Sequence, residues 1–322
     1  MYDPSAIVDV LAHNVRATMS PFGVPGSLAN TWWKRESLPR EGEALLFTGL
    51  MYQYAPYIAT ATRLLERFEG TAKEGMVRFG RFVPPVLSGL GLHLLTPQAE
   101  RERAGRTLSD IVTILTASGL CVAYRPELDD YSGILLYDLG SEKEFARHAR
   151  AVTAKLRRAG IGRIVCVDPH TAYALKVLYP KHADADFEVT AYFEHIRPEL
   201  FPAAQEGTGP ERVTLHDPCF YGRYLELSDA PRRVLAGLGV ACSSIRNEGT
   251  YTDCCGGPAE SLSPRLSGEV GGRRLAELTA PGAPVVAMCP ICLGNLRRLG
   301  AEVTDFASLV ADRLHRRNTT NP

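Results

Sequence analysis

The sequence predicts an α/β fold of two pseudo-repeated lobes, each with a small, mostly parallel sheet flanked by helices. Three observations predict it. Short apolar runs alternate with longer helical patterns, as in repeated strand–helix units. Four segments of the first half overlay on four segments of the second. Five of the eight cysteines follow predicted strand ends in the second half, and open parallel sheets collect ligands beyond the carboxyl ends of their strands.

At 322 residues the chain is long enough for two domains with full cores. Lysine plus arginine equals aspartate plus glutamate at 36 each, and the pI is near 7.1. No global charge therefore favours nucleic acid or acidic lipid. The opening MYDPSAIVDV lacks a basic segment followed by a long apolar one, so no signal peptide is expected. The most apolar stretch, Phe79 to Leu95, is broken by Pro84 and Pro85 and by glycines, so no transmembrane segment is expected. The cysteines do not suggest a secreted disulfide scaffold, and a reducing, cytoplasmic setting is expected.

Residues 1–42 read as an N-terminal helical and irregular extension: a helix over Ser5 to Met19, then Trp32 and Trp33 as packing residues. The first lobe spans 43–198. Ala44 to Gly49 is its first strand, Tyr57 to Phe68 a helix, and Gly160 to Asp168 contains the strand RIVCVD. Within it, 69–107 reads as an insertion, an apolar run followed by the charged QAERERAGR. Its expected role is a pair of lobe-capping helices, with an interaction surface as the alternative. Pro198 to Pro210 is rich in proline, glycine and small residues and reads as a linker. The second lobe spans 211–317, with strands at Glu211 to His216, Val240 to Ile245 and Val285 to Met288. Its helices are expected at Pro264 to Leu278, Ile291 to Leu299 and Thr304 to Arg317. Cys121 and Cys242 lie in short apolar runs and are expected in the core.

The internal overlay is specific. FEVTAYFEHI (187–196) lies over AEVTDFASLV (301–310), VDPHTAYAL (167–175) over MCPICLGNL (288–296), LFTGLMYQ over LHDPCFYG, and DDYSG over TDCCG. Where the second half has Cys219, Cys254, Cys255, Cys289 and Cys292, the first has Leu50, Tyr131, Ser132, Asp168 and Thr171. The first lobe is therefore expected to fold without a thiolate cluster. Cys166, Asp168 and His170 are its remaining zinc-site candidates, against a plain core reading for Cys166.

The five cysteines carry the chemistry. Thirty-four residues separate Cys219 from Cys254 and thirty-three separate Cys255 from Cys289, room each time for one helix and one strand, so all five sulfurs should face one crevice. Soft thiolates suit iron–sulfur clusters and zinc alike. Gly256 and Gly257 let the backbone turn tightly beside a bulky core. Pro290 suits the first turn of a helix whose N–H groups and dipole favour an anion. His216, Asp217 and Asp253 flank the thiols, either tuning the centre through hydrogen bonds or capping strand ends. At this point three chemistries stand: an iron–sulfur cluster, a zinc site closed by four of the five thiolates, and a vicinal disulfide at Cys254–Cys255.

HDPCFYGR, DCCGGP, MCPICLGNL and the closing EVTDFASLVADRL resemble the cysteine-rich CCG domain of the B- and D-type subunits of heterodisulfide reductase and of the iron–sulfur subunits of glycolate and lactate oxidation systems. The resemblance covers roughly the last third of the chain. It implies a noncubane 4Fe-4S cluster on Cys219, Cys254, Cys255, Cys289 and Cys292, with the first lobe a degenerate CCG repeat; the B-type subunits carry a complete cysteine set in both. The second gap is slightly shorter than the family's usual spacing. NVRATMSPFGVPG is similar to the segment that follows a ferredoxin domain in D-type relatives, but the sequence holds no C-x2-C-x2-C-x3-C-P run.

The resemblance implies an electron-transfer subunit of a heterodisulfide reductase-like or 2-hydroxy acid oxidase-like complex. Its partners would be ferredoxin-type or flavoprotein redox subunits, with peripheral membrane association only through a membrane-bound partner. The alternatives are a disulfide or thiol-substrate reductase acting at the cluster, disfavoured by the single cysteine set, and a zinc-stabilised scaffold. No G-x-G-x-x-G after a strand, P-loop or G-x-S-x-G occurs, so no nucleotide or flavin is expected on this chain.

Overall fold

Each half of the chain contributes four short strands. They are β1 (Ala44–Phe47), β2 (Val122–Ala123), β3 (Arg163–Cys166) and β4 (Glu188–Ala191), then β5 (Arg212–His216), β6 (Ala241–Cys242), β7 (Val285–Ala287) and β8 (Val303–Asp305). The structure is a computed structural model and describes residues 2–201 and 210–318. The first sheet runs β2-β1-β3-β4 and the second β6-β5-β7-β8, with every pairing parallel. The two sheets thus have one topology. The segments that overlay in the sequence fall on matching elements, β1 with β5, β3 with β7 and β4 with β8.

The inner strands are apolar because helices cover both faces of a parallel sheet. β1 and β7 are buried throughout, and β3 and β5 are buried after their first residue. One pair of contacts repeats with its residues exchanged. Thr48 Oγ1 donates to Asp129 Oδ2 at 2.6 Å in the first lobe, and Thr252 Oγ1 donates to the Asp217 carbonyl at 2.8 Å in the second. In the overlay Thr48 stands at Asp217 and Asp129 at Thr252, so each pair ties the first loop of its lobe to the second.

Asp3 caps the first helix, Pro4–Thr18, by accepting from Ser5 N at 3.0 Å. Trp32 is buried, with its ring centroid 5.0 Å from that of Tyr124, while Trp33 is half-buried. The helix expected from Tyr57 starts earlier, at Met51, and carries Pro56 inside it. Proline there removes a backbone donor, but Met51, Tyr52 and Tyr54 are all buried by continuing the helix, and apolar burial of that size outweighs one lost bond.

The 69–107 region forms a 3-10 run, Glu74–Phe82, and a helix, Pro85–Leu95. Its charged part is the first half of a longer helix, Gln98–Ala117, whose second half buries Leu108, Ile111, Ile114 and Leu115. Cys121 corrects the sequence reading: it is exposed, one residue before β2. The apolar residues beside it, Val122 and Ala123, take the strand positions. Cys242 is half-buried in β6, and Cys166 is fully buried in β3. Of the predicted linker, Pro198–Leu200 is a 3-10 turn and Phe201 is buried; 202–209 lies outside the described residues.

The lobes pack on one another through named contacts. Tyr52 donates its hydroxyl to Asp305 Oδ2 at 2.7 Å, joining the Met51–Phe68 helix to the end of β8. The His170 and Phe220 rings meet at 4.9 Å. Among the described residues no helix is long and apolar enough to cross a membrane.

Candidate metal centre

The parallel order of the second sheet brings its three thiol-bearing loops to one edge. Cys219 follows β5, Cys254 and Cys255 lie in the loop after β6, and Cys289 follows β7 and caps the helix Pro290–Arg298, which carries Cys292. Their thiols sit close enough that each shifts the ionisation of the next, Cys219 with Cys254, Cys254 with Cys255, Cys255 with Cys292 and Cys292 with Cys289. Cys255, Cys289 and Cys292 are buried, and Cys219 and Cys254 are half-buried.

Two glycines make the approach possible. Gly256 has φ +95°, and a Cβ there would lie 2.4 Å from the Ser267 carbonyl oxygen. Its N–H donates to Cys254 Sγ at 3.3 Å. A Cβ on Gly257 would lie 2.6 Å from Ile291 Cγ2, which presses this loop against the helix that starts at Pro290.

The crowding divides the thiols by charge. Hydrogen bonds from Cys219 and Cys255 pull Cys254 down to about 2, and the backbone N–H of Gly256 adds to this. Burial opposes ionisation of Cys289, but the Cys292 thiol and the charge of His170 outweigh it and bring Cys289 down to about 6. Cys219 is pushed up by its bond to Cys254 and by burial, Cys255 by its bond to Cys254, and Cys292 by burial and then by its sulfur neighbours. Five thiolates this close repel one another unless a cation is shared among them. The donor set therefore fits a polynuclear, sulfur-loving metal group, and it has one sulfur more than a closed tetrahedral zinc site uses.

The flanking residues take distinct places. Asp217, 1% exposed, grips Arg232 through both oxygens at 2.6 and 2.8 Å and accepts from Gly249 N at 2.8 Å, fixing the loops around Cys219. His216 is fully buried; its Nδ1 accepts from Arg274 Nε at 3.2 Å, and its Nε2 has no partner among the described residues. Burial, then the Arg274 charge, lowers its pKa to about 3, so the ring is neutral. A ring nitrogen of His216 and the sulfurs of Cys255 and Cys292 lie within 4.8 Å of one another. Asp253 is exposed and accepts from Asn247 Nδ2 at 3.0 Å; it turns away from the thiols.

The first lobe supplies one group that the sequence pattern had placed elsewhere. His170 Nδ1 lies 3.6 Å from Cys289 Sγ. Burial works against its charge, but Cys289 and Asp168 overcome it and hold His170 well above 6.5. Asp168 Oδ1 caps the short helix at Pro169 by accepting from His170 N and Thr171 N. Cys166, Asp168 and His170 do not gather as a ligand group among the described residues, and Cys166 is buried in the core as its plain reading expected. Cys166 points into the core of β3, whereas His170 turns toward the other lobe. The overlay places His170 at Ile291, beside a ligand position, and that was the available signal. Gly49 and Thr171 close the first lobe's own crevice, since a Cβ on Gly49 would lie 2.0 Å from Thr171 Oγ1.

A family match covers the loops that carry these cysteines. Residues 213–297 match the family described as CCG, cysteine-rich domain. The chain is 32% identical over 226 residues to a probable membrane-anchored ferredoxin of Chromohalobacter salexigens, covering 65% of this chain and 34% of that protein. It is 26% identical over 203 residues to the probable iron-sulfur-binding oxidoreductase FadF of Bacillus subtilis, covering 61% and 28%. It is 28% identical over 187 residues to the D-type subunit of the dihydromethanophenazine:CoB–CoM heterodisulfide reductase of Methanosarcina mazei, covering 53% and 45%. The chain thus spans less than half the length of each of these relatives. Its second lobe is a CCG cysteine-rich domain, in a chain related to the FadF-like iron–sulfur oxidoreductases and to the D-type subunit of heterodisulfide reductase.

Proposed function

We propose that this chain is an electron-transfer subunit whose second lobe holds an iron–sulfur cluster, of the noncubane 4Fe-4S type, on Cys219, Cys254, Cys255, Cys289 and Cys292. The observation that carries the reading is the gathering of five mutually perturbing thiols on three loops at one edge of a parallel sheet, with the Cys255 and Cys292 sulfurs within 4.8 Å of each other. When bound, such a cluster supplies reversible electron transfer at a potential set by charge, hydrogen bonding and exposure. The chain's own residues hold and shield it. Gly256 and Gly257 bring the backbone close, the helix from Pro290 presents its positive end, and Asp217 with Arg232 fixes the loop that carries Cys219. Cys219 and Cys254 form the half-exposed side, where electrons enter or leave.

The partners in this reading are ferredoxin-type or flavoprotein redox subunits of a heterodisulfide reductase-like or 2-hydroxy acid oxidase-like complex, and its compartment is the reducing cytoplasm. A membrane-bound partner would bring the chain to a membrane peripherally. Reduction of a disulfide by this chain itself is the weaker reading, because the first lobe has Leu50, Tyr131, Ser132, Asp168 and Thr171 at the ligand positions.

The test is anaerobic purification followed by iron, acid-labile sulfide and zinc analysis. About four irons per chain with matching sulfide is the expected result, and zinc without sulfide overturns it. Mixing the reduced protein with a small disulfide then separates relay from reductase: the relay leaves the disulfide intact unless a partner subunit is added.

A further inference from the structure

We infer that His216 is a fixed hydrogen-bond donor to the metal centre through Nε2–H, and not one of its ligands. This rests on the iron–sulfur reading above. Its carrier is the geometry around Arg274, a side chain only 1% exposed.

Arginine has donors and no acceptor. Arg274 Nε points at His216 Nδ1 at 3.2 Å, so Nδ1 must be the accepting nitrogen. A neutral imidazole carries one N–H, which then sits on Nε2. The guanidinium cannot turn away to allow the other tautomer. Nη1 donates to the Asn247 carbonyl and to Glu277 Oε2, both at 2.7 Å, and Nη2 donates to Thr252 Oγ1 at 3.1 Å. Thr252 is itself held by its bond to the Asp217 carbonyl. Coordination through Nε2 would need the proton on Nδ1, where it would face the Arg274 N–H donor to donor.

The nitrogen left over is buried, has no protein partner among the described residues and belongs to a ring within 4.8 Å of the Cys255 and Cys292 sulfurs. Buried donors in native proteins are almost always satisfied. The acceptor that fits is sulfur of the centre, thiolate or sulfide. His216 is therefore a positioning and tuning residue, set in its tautomer from outside the site by Arg274. A donor aimed at the centre stabilises its more negative, reduced form.

The experiment uses the full chain, purified anaerobically. His216→Leu should keep the wild-type iron and sulfide content while shifting the reduction equilibrium about tenfold toward the oxidised form, about 59 mV lower for a one-electron couple. His216→Gln, which restores an N–H near the place of Nε2, should recover at least half of that shift. Unchanged potential in His216→Leu with the cluster intact overturns the inference and spares the iron–sulfur reading; wild-type protein without iron and sulfide overturns both. Should His216→Leu fail to fold, electron–nuclear resonance on the reduced His170→Gln protein labelled with 15N-histidine, which removes the signal of the His170 ring beside Cys289, decides the question. Weak coupling accompanied by an exchangeable proton supports the donor, and strong coupling of a directly bound nitrogen, or no histidine coupling, overturns it.

Discussion

His170 Nδ1 of the first lobe stands 3.6 Å from Cys289 Sγ of the second. A lobe with no thiol at its ligand positions thus contributes a cation to the thiols of the other. In the metal-free protein the His170 imidazolium should persist well above pH 6.5, because Cys289 and Asp168 outweigh burial. The sign is that of a raised folded-state value: its stabilisation is complete below pH 6.5 and is lost as pH rises through the folded pKa. Imidazole NMR of the metal-free chain should show His170 charged at pH 7.5 and His216 neutral at pH 5; Cys289→Ser should lower the His170 midpoint, and an unmoved midpoint would refute the pairing.

Replacing Cys255 by serine should remove most of the iron and the cluster's visible absorption, because its buried sulfur lies within 4.8 Å of the Cys292 sulfur and follows Cys254 directly in the loop after β6. Cys121→Ser should change neither, since Cys121 is exposed in the first lobe before β2. Metal analysis of the two variants side by side is the check, and equal losses would contradict the ligand assignment.

Stripping the metal should expose one acid thiolate. Cys254 lies down at about 2 while Cys219 is pushed up, and both are half-buried. Alkylation at pH 5, mapped by mass spectrometry, should mark Cys254 well before Cys219, because the thiolate is the reactive form. Loading the metal beforehand should protect both.

Glu260 is 2% exposed, and burial, only partly offset by Asn295 and His170, raises it from 4.5 to about 7. Below pH 4.5 its carboxyl is neutral whether folded or not, so it costs nothing. As pH climbs through 7 the fold must hold a buried carboxylate, and stability is lost across that window. Glu260→Gln should leave the metal-free protein unchanged at pH 4 and stabilise it by up to about 3 kcal/mol at pH 8. Urea midpoints at the two pH values would show it, and an equal effect at both would refute it.

Gly256→Ala should destabilise the second lobe by about 2 kcal/mol or more, since φ +95° and the Ser267 carbonyl both exclude a Cβ. Gly272→Ala, inside the helix Pro264–Thr279 with nothing within 4 Å of the added carbon, should stabilise by up to about 1 kcal/mol. Denaturation of the two variants gives opposite signs if the glycines play these separate parts.

The amino-acid sequence by itself determined the repeat and its broken symmetry. VTAYF against VTDFA, and CysProIleCys against AspProHisThr, fixed which segments correspond and which lobe carries thiols, because strand period and cysteine position are local properties of the chain. It also placed β1, β3, β5 and β7 to within a few residues. What it misjudged were matters of surroundings: Cys121 looked like core and is exposed, and the helix expected from Tyr57 starts at Met51 and runs through Pro56. Only the tertiary structure decided that His170 crosses to Cys289 and that Arg274, fifty-eight residues from His216, chooses its tautomer. The physical reason is that charge and protonation depend on distances between side chains remote in sequence, and those distances exist only once the two lobes have packed.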